Sequence, residues 1–153
     1  MAAKSPLMEQ YKSIKNEHKD AFLFYRLGDF YELFYDDAVT VSHELELTLT
    51  GKNAGPEGRV PMCGIPYHAA ETYIYRLVQK GYKVAICEQL EDPKKAKGLV
   101  KRDVIRIVTP GTILFENSIA DKSNNYLAYL YQTANDIDAV LAYISTGECW
   151  WGI

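Results

Sequence analysis

The sequence of 153 residues contains only three cysteines, Cys63, Cys87 and Cys149, widely spaced and with no CxxC pair. That argues against a disulfide framework or a cysteine-rich zinc site and makes a reducing, cytoplasmic setting the expectation. No run of 18 apolar residues occurs, so no membrane association is expected. The opening stretch MAAKSPLMEQYK has no continuous apolar segment, so no secretory signal is expected. Nor is there an internal repeat, a low-complexity segment or a GxxxxGKS/T phosphate loop. Positive charge is also scarce: 17 Lys and Arg stand against 20 Asp and Glu, a net charge of −3. A domain that gripped DNA through phosphate neutralisation alone would be basic. Any nucleic-acid contact is therefore small and specialised, or is supplemented by other parts of a larger protein.

What is present is the composition of a folded domain, with 48% hydrophobic and 24% charged residues. Ser5-Pro6 reads as the start of a helix reaching about Glu17, with Leu7, Tyr11 and Ile14 on one stripe. The apolar run Ala21–Leu27 predicts a buried strand ended by Gly28. Asp29 then predicts the cap of a helix continuing to about Leu45. Leu45–Thr50 alternates apolar and polar residues, and Arg59–Cys63 follows a loop, so both predict strands. A helix is expected over about Ala69–Lys80, buried through Tyr73, Ile74, Leu77 and Val78 and stopped at Gly81. Tyr82–Glu88 and Val100–Val108 read as strands, with a turn at Thr109-Pro110-Gly111. After residue 112 the composition changes. Strands are expected over Tyr126–Tyr131 and Ala139–Ser145 and again after Thr146-Gly147, with a turn over Ala134–Asp138. Two or three strands with no covering helix are marginal alone, so the chain is expected to be an N-terminal fragment. Residues 1–115 are expected to form a mixed α/β (α+β) domain, and 116–153 a linker and the start of a second domain.

Three segments stand out. In GDFYELF, Asp29 and Glu32 have capping-box spacing, and Phe30, Phe34, Ala38, Val41 and Leu45 would share one helical stripe, so Phe30 could be core. Alternatively, a strand-to-helix turn presents Phe30 as an apolar wedge with the Glu32 carboxylate beside it. A phenylalanine inserted into a DNA minor groove can unstack a base step and kink the duplex. The second segment, PMCGIPYH, is shaped by two prolines and a glycine. His68 reads as a hydrogen-bonding residue at the start of the following helix, and Cys63 with His68 is only a weak pattern for a nucleophile, because no third group accompanies them. The third segment, Lys94-Lys95-Ala96-Lys97 followed by Lys101, Arg102 and Arg106, is the one clearly positive stretch. It reads either as a solvated loop or as a phosphate contact.

Taken in order, FYRLGDFYELFYDDA, VPMCGIPYHA, VAICEQLEDP, VIRIVTPGT and ISTGE closely resemble the N-terminus of the MutS family of DNA mismatch repair proteins. The resemblance implies that residues 1–115 are a mismatch-recognition domain with a mixed β-sheet flanked by helices. It also implies that the following residues open a connector domain similar in fold to ribonuclease H, left incomplete here. By similarity, Phe30 would stack on a mispaired or unpaired base from the minor groove, Glu32 would hydrogen-bond to that base, and Met62 would line the groove. Lys94, Lys95 and Lys97 lie outside the family's motif and stand as an independent candidate phosphate contact. The partner implied is mismatched or looped double-stranded DNA, with a full-length homodimer and a downstream partner of the MutL type. No catalytic residue or metal site is expected within the chain. The family's ATPase, with its ATP and Mg, would lie downstream together with the clamp and dimer-forming regions, and the fragment itself is expected to be no enzyme.

On this reading Glu32 adds discrimination by repulsion, since an anion near DNA is repelled until a displaced base offers a donor or the carboxyl is protonated. Two rival readings remain. One is a small α/β nuclease or nucleotide-processing domain drawing on Asp36, Asp37, Glu88, Glu91 and Asp92. The other is a protein-interaction module with Phe30 buried.

Overall fold

The structure is a computed structural model, and it describes residues 5–110, 126–132, 137–143 and 149–152. The chain divides into two compact units, residues 1–113 and 114–153. The turn at Thr109-Pro110-Gly111 falls partly outside the described residues, as does that over 134–138. The Thr146-Gly147 turn lies wholly outside them.

The first unit is built on a six-stranded mixed sheet. Its elements in chain order are α1 (Pro6–Glu17), β1 (Phe22–Leu27), β2 (Phe30–Phe34), α2 (Tyr35–Leu45), β3 (Thr50–Asn53), β4 (Arg59–Pro66), α3 (Ala70–Gln79), β5 (Val84–Gln89) and β6 (Arg102–Val108). The strand order is β3-β4-β2-β1-β5-β6, parallel between β1 and β5 and antiparallel elsewhere. The sheet is covered on both faces. On one, Met8, Tyr11 and Ile14 of α1 pack with Leu23, Tyr25, Phe34, Val60, Ala85 and Cys87. The side chains that alternate with these (Phe24, Leu33, Cys63, Ile65 and Ile86) point to the other face, where α2 and α3 bury Ala38, Val41, Leu45, Ile74, Leu77 and Val78. Tyr73, expected in that stripe, sits half-buried at its margin. Burial on both faces explains why β1 and β5 read as continuous apolar runs.

Two expected elements are corrected. Asp29 does not begin a helix: residues 30–34 form β2, joined to β1 by the two-residue turn Gly28-Asp29, with Leu27 paired to Phe30. Gly28 takes φ +57°, the geometry a tight hairpin requires at that position and one that glycine adopts without steric cost. Aromatic residues with Tyr31 and Leu33 buried on one face favour the pleated strand over the helical stripe. The capping box of Asp29 and Glu32 therefore does not form, and α2 starts only at Tyr35, itself left-handed at φ 55°. The strand expected over Leu45–Thr50 is also displaced. The α2 helix runs through Leu45 and is closed by left-handed Glu46, with the Leu47 N–H donating to the Ser42 carbonyl, so β3 begins only at Thr50.

The second unit contributes an antiparallel three-stranded sheet in the order β7-β8-β9, formed by β7 (Tyr126–Gln132), β8 (Ile137–Tyr143) and β9 (Cys149–Gly152).

Candidate nucleic-acid interface

The C-terminal ends of the parallel strands β1 and β5 define one rim of the sheet. The Gly28-Asp29 turn, the start of β2, the end of β4 and the loop of residues 90–101 meet there, because Leu27 pairs with Phe30, Phe30 with Pro66, and Gln89 with Arg102. A backbone hydrogen bond from the Tyr67 N–H to the Asp29 carbonyl (2.9 Å) ties the turn to the end of β4.

Phe30 stands at this rim and is 46% exposed. Along β2, Phe30, Glu32 and Phe34 share one face, and their exposure falls from open to half-buried to none. Phe34 anchors the strand: its ring meets Tyr11 edge-on at 4.9 Å beneath α1. Gly64 lies beside Phe30, and a Cβ there would sit 3.7 Å from the ring, in ordinary van der Waals contact with it. Met62 is paired with Phe34, half-buried against the α1-side core on the same face as Phe30 and Glu32.

Glu32 is not a bare anion. The Lys52 ammonium of β3 is ion-paired to its carboxylate and lies 5.6 Å from the centre of the Phe34 ring. The expectation of a carboxylate repelled until a displaced base offers a donor or the carboxyl is protonated is therefore modified, because the pair carries no net charge. Lys52 was not a sequence candidate. It sits in the glycine-containing stretch TGKN, and no periodicity links it to a residue 20 positions away.

On the opposite face of the same rim, Arg26 stacks over Tyr67 at 3.9 Å and reaches Glu88 at 3.4 Å, while the Tyr31 hydroxyl donates to Glu88. Behind it Arg102 is buried, donating to the carbonyls of Arg26 (2.7 Å) and Val100 (2.9 Å) and to the side chains of Gln10 and Gln89. Arg102 thus ties the start of β6 to β1 and α1 and is not available to a phosphate. Lys94, Lys95 and Lys97 are exposed on the loop, which is shaped by Asp92 accepting from the Lys94 N–H at 2.9 Å.

The sequence matches a described family. The family model of MutS domain I covers residues 5–117. The chain belongs to that family. It is 60% identical over 144 residues to the DNA mismatch repair protein MutS of Alkaliphilus oremlandii, covering 94% of this chain and 16% of that protein. It is 61% identical over 146 residues to the MutS of Clostridium beijerinckii, with 95% and 16% covered, and 57% identical over 148 residues to that of Acetivibrio thermocellus, with 97% and 17% covered. The chain thus spans about one sixth of the length of these MutS relatives.

The carboxylates offered for a nuclease do not converge within this MutS domain I. Asp37 is buried, takes the Leu23 N–H at 3.0 Å and pairs with Lys15 at 2.9 Å. Glu88 serves Tyr31 and Arg26, Glu91 takes the Lys101 N–H, and Asp92 shapes its own loop. Among the described residues no group of three or more His, Cys, Asp or Glu could hold a metal ion, and no helix is long and apolar enough to cross a membrane. Cys63 is fully buried and burial pushes its thiol up to about 12, while His68 is exposed against the Tyr67 ring, so the pair does not form a nucleophile with its base.

Proposed function

We propose that this chain is the mismatch-reading part of a DNA mismatch repair protein. On this reading, Phe30 enters the minor groove of mismatched or looped duplex and stacks on the mispaired or unpaired base. Glu32 hydrogen-bonds to that base, and Met62 lines the groove one strand away. The observation that carries the reading is a large aromatic ring left 46% exposed at a rigid hairpin, with a carboxylate two residues on along the same face. The match to MutS domain I supports it, as do the printed names of the relatives.

The physics is mechanical. Unstacking a base step takes a few kcal/mol, less where a pair is mismatched. Sharp bending of a short duplex takes ~1–6 kcal/mol, again less at a weak step. Stacking on the ring returns ~1–3 kcal/mol. The balance is near zero at a mismatch and unfavourable at a sound pair, so the ring senses weakness rather than base identity. A hairpin tied by the Tyr67–Asp29 hydrogen bond supplies the rigidity a wedge needs.

In the same reading residues 1–115 are the recognition domain, and 116–153 open a connector domain of ribonuclease H type. The exposed lysines 94, 95 and 97 contact backbone phosphate. The longer protein works in the cytoplasm as a homodimer with a MutL-type partner, its ATP- and Mg-dependent ATPase lying outside this chain. The test is competition binding at fixed salt by the full-length protein carrying Phe30→Ala. Loss of preference for mismatched over paired duplex is expected, and a variant that discriminates as the parent does refutes the wedge.

A further inference from the structure

Lys52 stands in none of the segments that single out Phe30, Glu32 and Met62, yet it is the ionic partner of Glu32 among the described residues. The side chains of the pair remain partly open, 32% for Lys52 and 16% for Glu32. Across from Glu32 on β4 stands Gly64, which places no side chain over the carboxylate. Across from it on β1 stands Tyr25, whose hydroxyl is committed to Gln10. A donor that takes Glu32 Oε2, the oxygen paired with Lys52, displaces the ammonium.

We infer that Lys52 is a positioning residue that switches partners: it holds Glu32 while the duplex is intact and passes to a DNA backbone phosphate when Glu32 accepts a hydrogen bond from a displaced base. The inference rests on the reading of Phe30 and Glu32 given above. A bare carboxylate would be repelled by every duplex. Paired with Lys52 it carries no net charge, so a sound duplex neither loses nor gains much at this point. When a displaced base takes the carboxylate, the ammonium is left without its anion, and a phosphate is the acceptor every groove offers. Lysine suits the exchange, being a compact point charge on a flexible four-carbon stem. The Phe34 ring at 5.6 Å favours the cation in either position. One event then makes two contacts, and affinity rises for the mismatched duplex alone.

The test uses the full-length protein, with binding to paired duplex and to the same duplex bearing one mismatch followed across a salt series. Each cation that neutralises a phosphate adds about 0.9 to the slope of log affinity against log salt. The charge-neutral double variant Lys52→Met/Glu32→Gln is expected to flatten the mismatched slope by about 0.9 and leave the paired slope unchanged. Lys52→Arg, which keeps the cation, is expected to retain both slopes. Glu32→Gln frees the ammonium and is expected to steepen the paired slope by about 0.9, an effect absent when Lys52→Met is also present. Equal flattening of both slopes by the double variant means a permanent phosphate contact and overturns the switch. No change in either slope means a purely structural ion pair and overturns it too. The wedge itself is read from the affinity ratio of Phe30→Ala, so loss of discrimination there while the double variant leaves both slopes unchanged sinks the switch alone.

Discussion

Phe30 and Phe34 lie four residues apart on one face of β2, and their surroundings assign them opposite work. Phe34 is fully buried, its ring edge-on to Tyr11 at 4.9 Å. Phe34→Ala opens a cavity beneath α1 and is expected to cost ~3–5 kcal/mol of stability. In a unit of about 100 residues each kcal/mol moves the melting midpoint by roughly 4–8 °C, so a fall of more than about 10 °C is expected. Phe30 has already left nearly half of its surface in water. Full burial of such a side chain is worth ~1.5–3 kcal/mol, so Phe30→Ala should cost only about 1 kcal/mol in folding. Its effect belongs in binding, where loss of ~1–3 kcal/mol of base stacking lowers the preference for a mismatch by roughly 5- to 150-fold. Thermal melts and competition binding on both variants separate the two quantities. The expected pattern is a crossed one: Phe34→Ala melts early but its folded molecules still discriminate, and Phe30→Ala melts near the parent but does not. A Phe30→Ala protein that melts as early as Phe34→Ala and keeps its preference would refute the assignment, because the ring would then be core.

Replacing Lys94, Lys95 and Lys97 together by Ala is expected to weaken paired and mismatched binding by the same factor and to flatten both salt slopes, by up to about 0.9 per lysine; identical slopes before and after would remove the loop from the interface. Burial pushes the thiols of Cys63 and Cys87 up to about 12, so peptide mass mapping after brief alkylation of native protein at pH 8 should find both unmodified, and rapid labelling of either would contradict its burial. Burial also raises the Asp37 carboxyl above its ordinary range, against the Leu23 N–H and Lys15 that pull it down. Its neutral form is then the one the fold favours, a contribution fully present at low pH and lost as pH climbs through the ordinary carboxylate range near about 4 toward the raised value. The Asp37→Asn variant, always neutral, should therefore gain stability relative to the parent between pH 3 and 7 in urea titrations, and a relative loss would mean that the Lys15 ion pair outweighs desolvation.

Much of the chain was legible from one dimension because its signals are local. Pro6 and the Leu7-Tyr11-Ile14 stripe placed α1, the apolar runs placed β1 and β5, and Gly81 marked the region just after α3. The MutS likeness lay in ordered motifs that require no structure to be seen. The segment GDFYELFYDDA misled, because a capping-box spacing and a helical stripe are also local patterns, and here they compete with a hairpin. What decided between them was the register with β1 and β4: as a strand, β2 lends Tyr31 and Leu33 to the α2–α3 face and Phe34 to the α1 face. A helix over the same residues would leave the centre of the sheet without a strand.

The sequence alone determined the mixed α/β class and the family and singled out Phe30 and Glu32 as candidates, because each is written in residue types a few positions apart. Only the tertiary structure decided that Phe30 opens to solvent from a strand rather than a helix, that Arg102 is a buried brace rather than a free cation, and that Lys52 neutralises Glu32. Those facts depend on contacts between residues 20 to 92 positions apart, and such contacts form only once the sheet has set its register.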